Sequence, residues 1–245
     1  VMLDDADTKR ITVDANFTLG KSTGLRINAL ATDGGDPLDN GIENYQTLAI
    51  APSFYHEFNE RTSITADALF MKQDNTPMLG MPYVSTEAAA QLGIKEEPID
   101  SSLWDNFYGH AQRDFEEVNI NVGTIVIDHQ VSDSISIVNQ TRFASNDKKS
   151  ILGRPIMHRT SYDRETRTGT YAYEYDAGYI QGLDSENSLF VNQFDVLGNF
   201  STGSFDHNLV VGVELYKEDQ TTYRQANDIV LENKYLPIDQ PNTSN

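Results

Sequence analysis

The chain contains no cysteine, so neither a disulfide framework nor a thiolate metal site can form within it. Basic residues are scarce: 18 lysines and arginines against 37 aspartates and glutamates give a net charge of −19. Binding to nucleic acid requires a basic surface, so this charge argues against nucleic acid as a partner. No segment approaches the roughly 18 consecutive apolar residues that a membrane-spanning helix needs. These absences still permit a transmembrane β-barrel, whose strands are apolar on one face only.

The chain also lacks a signal peptide at its start. Val1, Met2 and Leu3 are not a charged segment followed by an apolar run. We therefore expect the sequence to be a mature or internal piece of a protein.

Strict alternation of apolar and polar residues is the clearest pattern present. Between Arg10 and Leu19 every second residue is apolar, and the alternation resumes at Leu25 after a glycine-containing turn. Such a pattern predicts a β-hairpin. Three further hairpins follow, with strands at 47–58 and 62–73, at 113–131 and 135–145, and at 187–200 and 205–218. The sequence therefore predicts an all-β fold with eight antiparallel strands in four hairpins.

Long connections separate these hairpins, whereas the turns within them are short. The connections cover about 33–46, 75–112 and 147–186, and another begins at about 220. Loops longer than about 15 residues are uncommon in compact soluble domains. Short turns alternating with long loops are instead typical of outer-membrane barrels, whose strands need about 9–11 residues to cross the bilayer.

Two strands leave their apolar face undecided. In 187–200, Phe190 and Phe194 compete with Leu189 and Val191 for one face, and the segment 137–142 is similarly mixed. We expect Arg142 to face the lumen of the barrel, because a charge facing lipid near the membrane midplane costs about 2–4 kcal/mol.

Six short motifs occur along the chain. The longest is a strand-to-loop run from Lys72 to Pro82, with the pattern Asp-Asn-x-Pro-x-x-Gly-x-Pro, and the others lie at residues 50–54, 106–109, 123–129, 139–143 and 212–215. In sequence and in order these motifs resemble those of TonB-dependent siderophore receptors, especially the ferrichrome and catecholate branch. The resemblance covers roughly residues 9–220.

The resemblance implies an outer-membrane receptor that transports ferric siderophores and is energised by TonB. Its barrel would have about 22 strands and would be plugged by an N-terminal domain. This chain would supply one segment of the barrel, without the plug, the TonB-contacting segment or the C-terminal strands. Expected partners are a ferric siderophore, the TonB complex through the missing N-terminal segment, and the lipid and lipopolysaccharide of the outer membrane. The siderophore would be cargo, and no cofactor or enzymatic activity is expected.

The segment 147–186 is the first candidate for ligand contact. It holds six of the 18 basic residues, followed by several tyrosines. A guanidinium group can form two parallel hydrogen bonds to a pair of anionic oxygens, and an aromatic ring offers a flat apolar surface. Both features suit the binding of an anionic ferric chelate. The candidates are Arg154, Arg159, Arg164, Arg167, Tyr171 and Tyr173. Contact with lipopolysaccharide phosphates or with neighbouring acidic loops is the alternative.

The segment 75–112 is the second candidate, because it is rich in aromatic residues. Its candidate ligand contacts are Tyr83, Trp104, Phe107 and Tyr108. The alternative is that these rings pack within the loop or lie at the membrane interface. The same segment predicts a short helix from Ser85, an N-cap residue, to Gly93, with Glu87 favoured by the helix dipole.

No metal or catalytic motif stands out. The acidic run 33–41 lacks the full calcium-binding pattern, so we expect an ordinary turn there. The five histidines lack metal-ligand spacing, and His129 and His207 lie near short turns, which suggests positions at the membrane interface. No Gly-x-Ser-x-Gly nucleophile motif occurs.

The sequence leaves two alternatives to siderophore uptake open. One is a TonB-dependent receptor for another solute, such as haem, cobalamin or an oligosaccharide. The other is a complete eight-stranded structural or adhesion barrel, since eight strands suffice to close one.

Overall fold

A computed structural model of the chain describes residues 2–3, 7–94, 101–224 and 234–241. It contains a nine-stranded antiparallel sheet in the order β1-β2-β3-β4-β5-β6-β7-β10-β11 and a three-stranded sheet in the order β12-β9-β8. The first sheet comprises β1 (Met2–Leu3), β2 (Lys9–Thr18), β3 (Thr23–Asp33), β4 (Asn44–Asn59), β5 (Thr62–Thr76), β6 (Phe115–Ser132), β7 (Ile135–Gly153), β10 (Ile180–Thr202) and β11 (Phe205–Tyr223). The second comprises β8 (Ile156–Asp163), β9 (Thr168–Asp176) and β12 (Tyr235–Pro237).

All eight predicted strands are present, and each predicted hairpin pairs across its short turn. The two-residue strand β1 was not predicted. The sheet is open in the part of the chain that the structure describes, because its edge strands β1 and β11 do not pair with each other. An eight-stranded barrel that closes on itself therefore does not describe this sheet.

The prediction of a single long loop at 147–186 is wrong, because most of this segment forms β-strands. Strand β7 continues to Gly153 and β10 begins at Ile180, and between them β8 and β9 form a hairpin of their own. The error has a local cause: β8 and β9 consist mainly of polar and tyrosine residues, so they lack the aliphatic alternation by which the other strands were recognised. The connection predicted at 33–46 shortens to 34–43, and the one predicted at 75–112 shifts to 77–114. Residues 95–100 and 225–233 lie outside the described part.

One face of the large sheet, here called the apolar face, carries a continuous belt of exposed hydrophobic side chains. Ladder partners share a face, so the pairs Phe17–Leu25, Leu25–Phe54 and Phe54–Ala66 place these residues together. The belt includes Ile11, Val13, Phe17, Leu48, Ile50, Phe54, Phe70, Ile125, Ile127, Phe143, Phe190, Phe194, Leu209, Val211, Val213 and Leu215, all substantially exposed. A face this apolar and this exposed requires an apolar environment.

The belt crosses the strands obliquely. Phe17, at the turn end of the apolar run in β2, is linked through successive ladder partners to Leu215, at the loop end of the run in β11. The belt thus shifts along the strands by about six residues, roughly 20 Å, across seven strand spacings of roughly 34 Å in total. Its direction departs from the perpendicular to the strands by about 30°. Strands of membrane barrels are tilted by a comparable angle.

The ladder also assigns the strands whose faces the sequence left undecided. Phe190, Phe194 and Ile137 lie on the apolar face. Arg142 lies on the opposite face, here called the polar face, where its ladder partners are Thr124 and Val191.

Strand β6 departs from the simplest interpretation of its sequence. Its apolar residues Val118, Ile120 and Val122 lie on the polar face, because Val118 pairs with Gln73 and Ile120 with Met71. The apolar belt of β6 is supplied nearer the turn by Ile125 and Ile127. Alternation in β6 reveals two faces, but only the pairing with β5 shows which belongs to the belt.

Three histidines mark the turn end of the apolar belt. His56, His129 and His207 are each hydrogen-bonded to a threonine of the neighbouring strand, at 2.8, 2.9 and 2.6 Å. Each lies two residues from the exposed apolar residue nearest its turn, which is Phe58, Val131 or Phe205. Rings with one polar edge at the border of an apolar band are characteristic of membrane interfaces.

A small polar network interrupts the belt between β7 and β10. Asn192 Nδ2 donates to Thr141 Oγ1 at 2.7 Å, and Asn139 Nδ2 donates to the Gln193 carbonyl oxygen at 3.0 Å and to Asn192 Oδ1 at 3.4 Å. These two strands are separated in sequence by the β8–β9 insertion, so no short turn sets their register. Because polar groups in an apolar environment must satisfy one another, the network favours the observed register over a slipped one.

The buried core lies outside the large sheet, in the segments 77–94, 101–114, 154–179 and 234–241, here together called the loop assembly. The helix α1 (Thr86–Leu92), the β8–β9 hairpin and β12 bury Val84, Ala88, Ala89, Tyr108, Met157, Tyr175, Ala177 and Ile238 together.

The predicted helix is confirmed with both ends: Ser85 accepts from the Ala88 N–H, and Gly93 closes the helix with a left-handed φ of 68°. None of the helices in the described ranges is long and apolar enough to cross a bilayer.

Candidate ligand-binding site

A buried ion pair anchors the loop assembly to the start of β6. Arg113 and Asp114 have side chains that are 0% and 1% exposed, and Arg113 Nε donates to Asp114 Oδ1 at 2.7 Å. Asp114 Oδ2 also accepts from the backbone N–H groups of Gly153 and His110, at 2.7 and 3.0 Å. Arg113 Nη1 donates to the Ala177 carbonyl oxygen at 2.6 Å. The pair therefore joins β6, β7 and the segment after β9.

Two glycines make room for this ion pair. A Cβ atom on Gly153 would lie 2.6 Å from Asp114 Oδ2 and 2.8 Å from Arg113 Nη2, and one on Gly109 would lie 2.5 Å from Asp114 Oδ2.

Burial, together with the positive charge of Arg113, lowers the pKa of His110 and favours its neutral form. Burial likewise raises the pKa of the Tyr175 hydroxyl, so it stays protonated.

The loop assembly also forms a half-open cavity of about 570 Å³. Three separate segments contribute to its walls: the chain before α1, the β8–β9 hairpin with its flanks, and β12. The lining residues are Met81, Tyr83, Ser85, Arg154, Pro155, Ile156, Met157, His158, Arg159, Tyr171, Asp176, Tyr179 and Tyr235. Two arginines and four tyrosines therefore line a space large enough for a small ligand.

One wall of the cavity is a stacked pair of rings. His158 lies over Tyr235 with ring centroids 3.5 Å apart and an angle of 8° between the planes. His158 Nδ1 is 2.9 Å from Glu174 Oε2, and the Lys234 ammonium lies 4.7 Å from the centroid of the Tyr235 ring. These contacts fix the orientation of Tyr235 in the cavity wall.

Four of the ten candidate ligand-contact residues line this cavity: Tyr83, Arg154, Arg159 and Tyr171. The structure brings them together from segments that are about 70 residues apart in sequence. Arg159 additionally lies over the ring of Tyr162, 4.3 Å from its centroid. The two loops were predicted as separate recognition elements, whereas residues of both line one cavity.

The other six candidates lie outside the cavity. Phe107 and Tyr108 are 0% and 1% exposed, so the prediction that they contact ligand is corrected: they pack the loop core. Tyr108 donates to the carbonyl oxygens of Leu103 and Ile238, both at 3.1 Å, and meets Tyr175 edge-on. Trp104 and Tyr173 are partly exposed elsewhere, and Arg164 and Arg167 lie at the β8–β9 turn.

Tyr235, His158 and Asp176 also line the cavity, although the sequence did not mark them as candidates. Tyr235 follows a connection with no recognisable pattern, and nothing in the sequence relates it to β8. His158 lies next to Arg159, but a lone histidine in a basic loop gave no reason to single it out. Each gains its position through pairing of β9 with β8 or β12.

The acidic run 33–41 forms a turn stabilised by its own carboxylate. Asp36 accepts from the backbone N–H groups of Asn40 and Gly41, and Asn40 Oδ1 accepts from those of Ile42 and Glu43. These oxygen atoms are therefore engaged by the backbone. Across the described ranges there is no group of three or more histidine, aspartate and glutamate side chains suited to a metal ion.

Comparison with known proteins gives one consistent result. Over 221 residues the chain is 26% identical to the catecholate siderophore receptor Fiu of Escherichia coli K12, an alignment that covers 88% of this chain and 28% of the relative. It is 23% identical over 210 residues to the probable TonB-dependent siderophore receptor PiuA of Acinetobacter baumannii, with 86% of this chain and 26% of the relative covered. The chain is similar to the barrel portion of TonB-dependent siderophore receptors. No protein-family model matches it.

Solved receptor structures establish the fold. The closed form of the ferric-catecholate import receptor Fiu of E. coli K12 superimposes with a TM-score of 0.77 at 24% identity, covering 98% of this chain and 33% of the receptor. The ferripyoverdine receptor of the outer membrane of Pseudomonas aeruginosa gives 0.71 at 13% identity, covering 97% and 29%. The chain thus spans about a third or less of the length of these receptors. The predicted resemblance and the predicted all-β barrel fold are confirmed.

Proposed function

We propose that the chain is the segment of an outer-membrane receptor barrel that recognises ferric siderophores at its outer end, in a protein energised through TonB. The observation that carries this proposal is the cavity in which Arg154 and Arg159 converge with tyrosine rings, at the end of the sheet remote from the short turns. Bidentate donors and aromatic walls suit an anionic chelate with flat ligand groups.

The large sheet supports the membrane part of the proposal. Its exposed apolar belt needs a hydrocarbon environment, and the oblique course of the belt is what tilted strands crossing a flat layer would produce. On this assignment Arg142 faces the lumen, and the turn-end histidines lie at the periplasmic interface. The lipid of the outer membrane covers the belt.

Catecholate chelates are the ligand class we propose first, because the relatives include catecholate siderophore receptors and the cavity is rich in aromatic rings. Hydroxamate and carboxylate chelates, and haem, cobalamin or oligosaccharides, are the competing ligands.

Binding of ferric chelates to the full-length protein in detergent tests the proposal. Replacing Arg154 or Arg159 with alanine is expected to raise the Kd for ferric tris-(2,3-dihydroxybenzoate) about tenfold or more, because each loses a charge-assisted hydrogen bond. Arg164→Ala, in the turn outside the cavity, is the matched control and should leave Kd unchanged. If wild-type protein binds no ferric catecholate, hydroxamate or carboxylate chelate, the siderophore assignment is wrong, and binding of a competing solute would replace it.

A further inference from the structure

Two side chains of the helix α1, Glu87 and Gln91, form hydrogen bonds to the backbone of β9. Gly169 donates its backbone N–H to Glu87 Oε1 at 2.7 Å, and its carbonyl oxygen accepts from Gln91 Nε2 at 2.6 Å. The Tyr171 N–H donates to Gln91 Oε1 at 3.2 Å. The two helix side chains therefore occupy the positions that the backbone of a neighbouring strand would take along this edge.

Among the residues that the structure describes, no strand pairs with this edge of β9 at Gly169 and Tyr171. On that side β12 reaches only Glu174, Tyr175 and Asp176. On the other side the ladder with β8 is irregular, with register shifts immediately before and after the pair Arg159–Tyr171. An interrupted ladder holds its residues weakly. The hydrogen bonds from Glu87 and Gln91 compensate where the ladder is weakest.

The residues so held form part of the cavity wall. Tyr171 lines the cavity, and its hydroxyl lies 3.5 Å from Glu87 Oε2. Gly169 supports Arg159: a Cβ atom at Gly169 would lie 2.7 Å from Arg159 Cδ, so the arginine stem rests directly on this glycine. The cavity lining also includes Ser85, the N-cap residue of α1, and Tyr83 before it.

We propose that Glu87 and Gln91 are positioning residues that join the two ligand-binding loops into one preformed site, without touching the ligand themselves. This inference rests on the proposed function. Neither residue lines the cavity, yet both fix the backbone that carries Tyr171 and supports Arg159. A preformed wall saves the ordering entropy that binding would otherwise cost, and its loss acts mainly on the dissociation rate.

Gln91→Ala tests the proposal in the full-length protein. Alanine preserves helix propensity, so the helix itself should persist. Amide hydrogen exchange at Tyr171 is expected to become about five- to tenfold faster, because its N–H loses its acceptor, Gln91 Oε1. The Gly169 N–H keeps its acceptor on Glu87 and should change less. The Kd for ferric tris-(2,3-dihydroxybenzoate) is expected to rise about three- to tenfold, with the change mainly in the dissociation rate.

Two further variants sharpen the test. Glu87→Gln keeps an acceptor oxygen for Gly169 and should behave almost as wild type, whereas Thr86→Ala alters an exposed residue of the same helix and should change neither quantity. Unchanged exchange in Gln91→Ala would overturn the structural claim. Faster exchange with an unchanged Kd would overturn the positioning role. Absence of chelate binding by wild-type protein would overturn the proposed function and the positioning role with it, while the exchange data would still report on the contact between α1 and β9.

Discussion

Replacing Val211 with arginine is expected to destabilise the folded barrel in a bilayer by about 2–4 kcal/mol, because the charge would face hydrocarbon near the middle of the belt. Val211 lies on the apolar face, where its ladder partner is Val196. The measurement is denaturant unfolding of the full-length protein folded into phosphatidylcholine vesicles, compared with wild type under the same conditions.

The neighbouring residue provides a closely matched control. Val210 is the same residue type, is 63% exposed against 59% for Val211, and lies on the polar face. Val210→Arg should therefore have much less effect on stability, since its side chain would point into the polar interior of the barrel and not toward lipid. Equal destabilisation by both arginines would show that the two faces share one environment, and the membrane assignment would be wrong.

Replacing Asp114 with alanine is expected to destabilise the loop assembly by about 3–5 kcal/mol, because it leaves the buried Arg113 charge without a partner. The change also removes the acceptor for the N–H groups of Gly153 and His110. Asp114→Asn keeps the shape and an acceptor oxygen but not the charge, and should fall between alanine and wild type. Native-state hydrogen exchange across residues 101–114 and 150–177 measures the free energy of opening.

An exposed ion pair of the same chain serves as the control for this second prediction. Asp133 approaches Arg61 at 3.5 Å, but its side chain is 95% exposed. Asp133→Ala should leave the opening free energy of the loops unchanged, since exposed pairs contribute little. If Asp114→Ala were equally silent, the buried pair could not be the anchor that joins β6, β7 and the segment after β9.

Recognition of the strands and of the helix required only local sequence. The alternation of Ile11, Val13 and Phe17 appears because residues two apart share a face of a strand. Ser85 and Gly93 mark the ends of α1 because capping depends on a few neighbouring residues. Such signals are complete within a short window, so they could be read from the chain alone.

The candidate site was only half predictable for the opposite reason. Composition indicated that Arg154, Arg159 and Tyr171 belong to a binding loop, and the motifs at the strand ends indicated the receptor class. Composition could not distinguish them from Tyr108, an equally aromatic loop residue that is buried in the core. Burial depends on what packs above a residue, and for Tyr108 that includes Ile238, some 130 residues away in sequence.

The sequence by itself determined the eight long strands, their short turns, the capped helix and the class of receptor that the chain resembles. Only the tertiary structure decided which face of β6 joins the belt, that α1 bonds the edge of β9, and that Tyr83 and Tyr235 share one cavity. The first group follows from interactions between residues close in sequence. The second follows from strand pairing and packing between distant segments, whose partners no local pattern specifies.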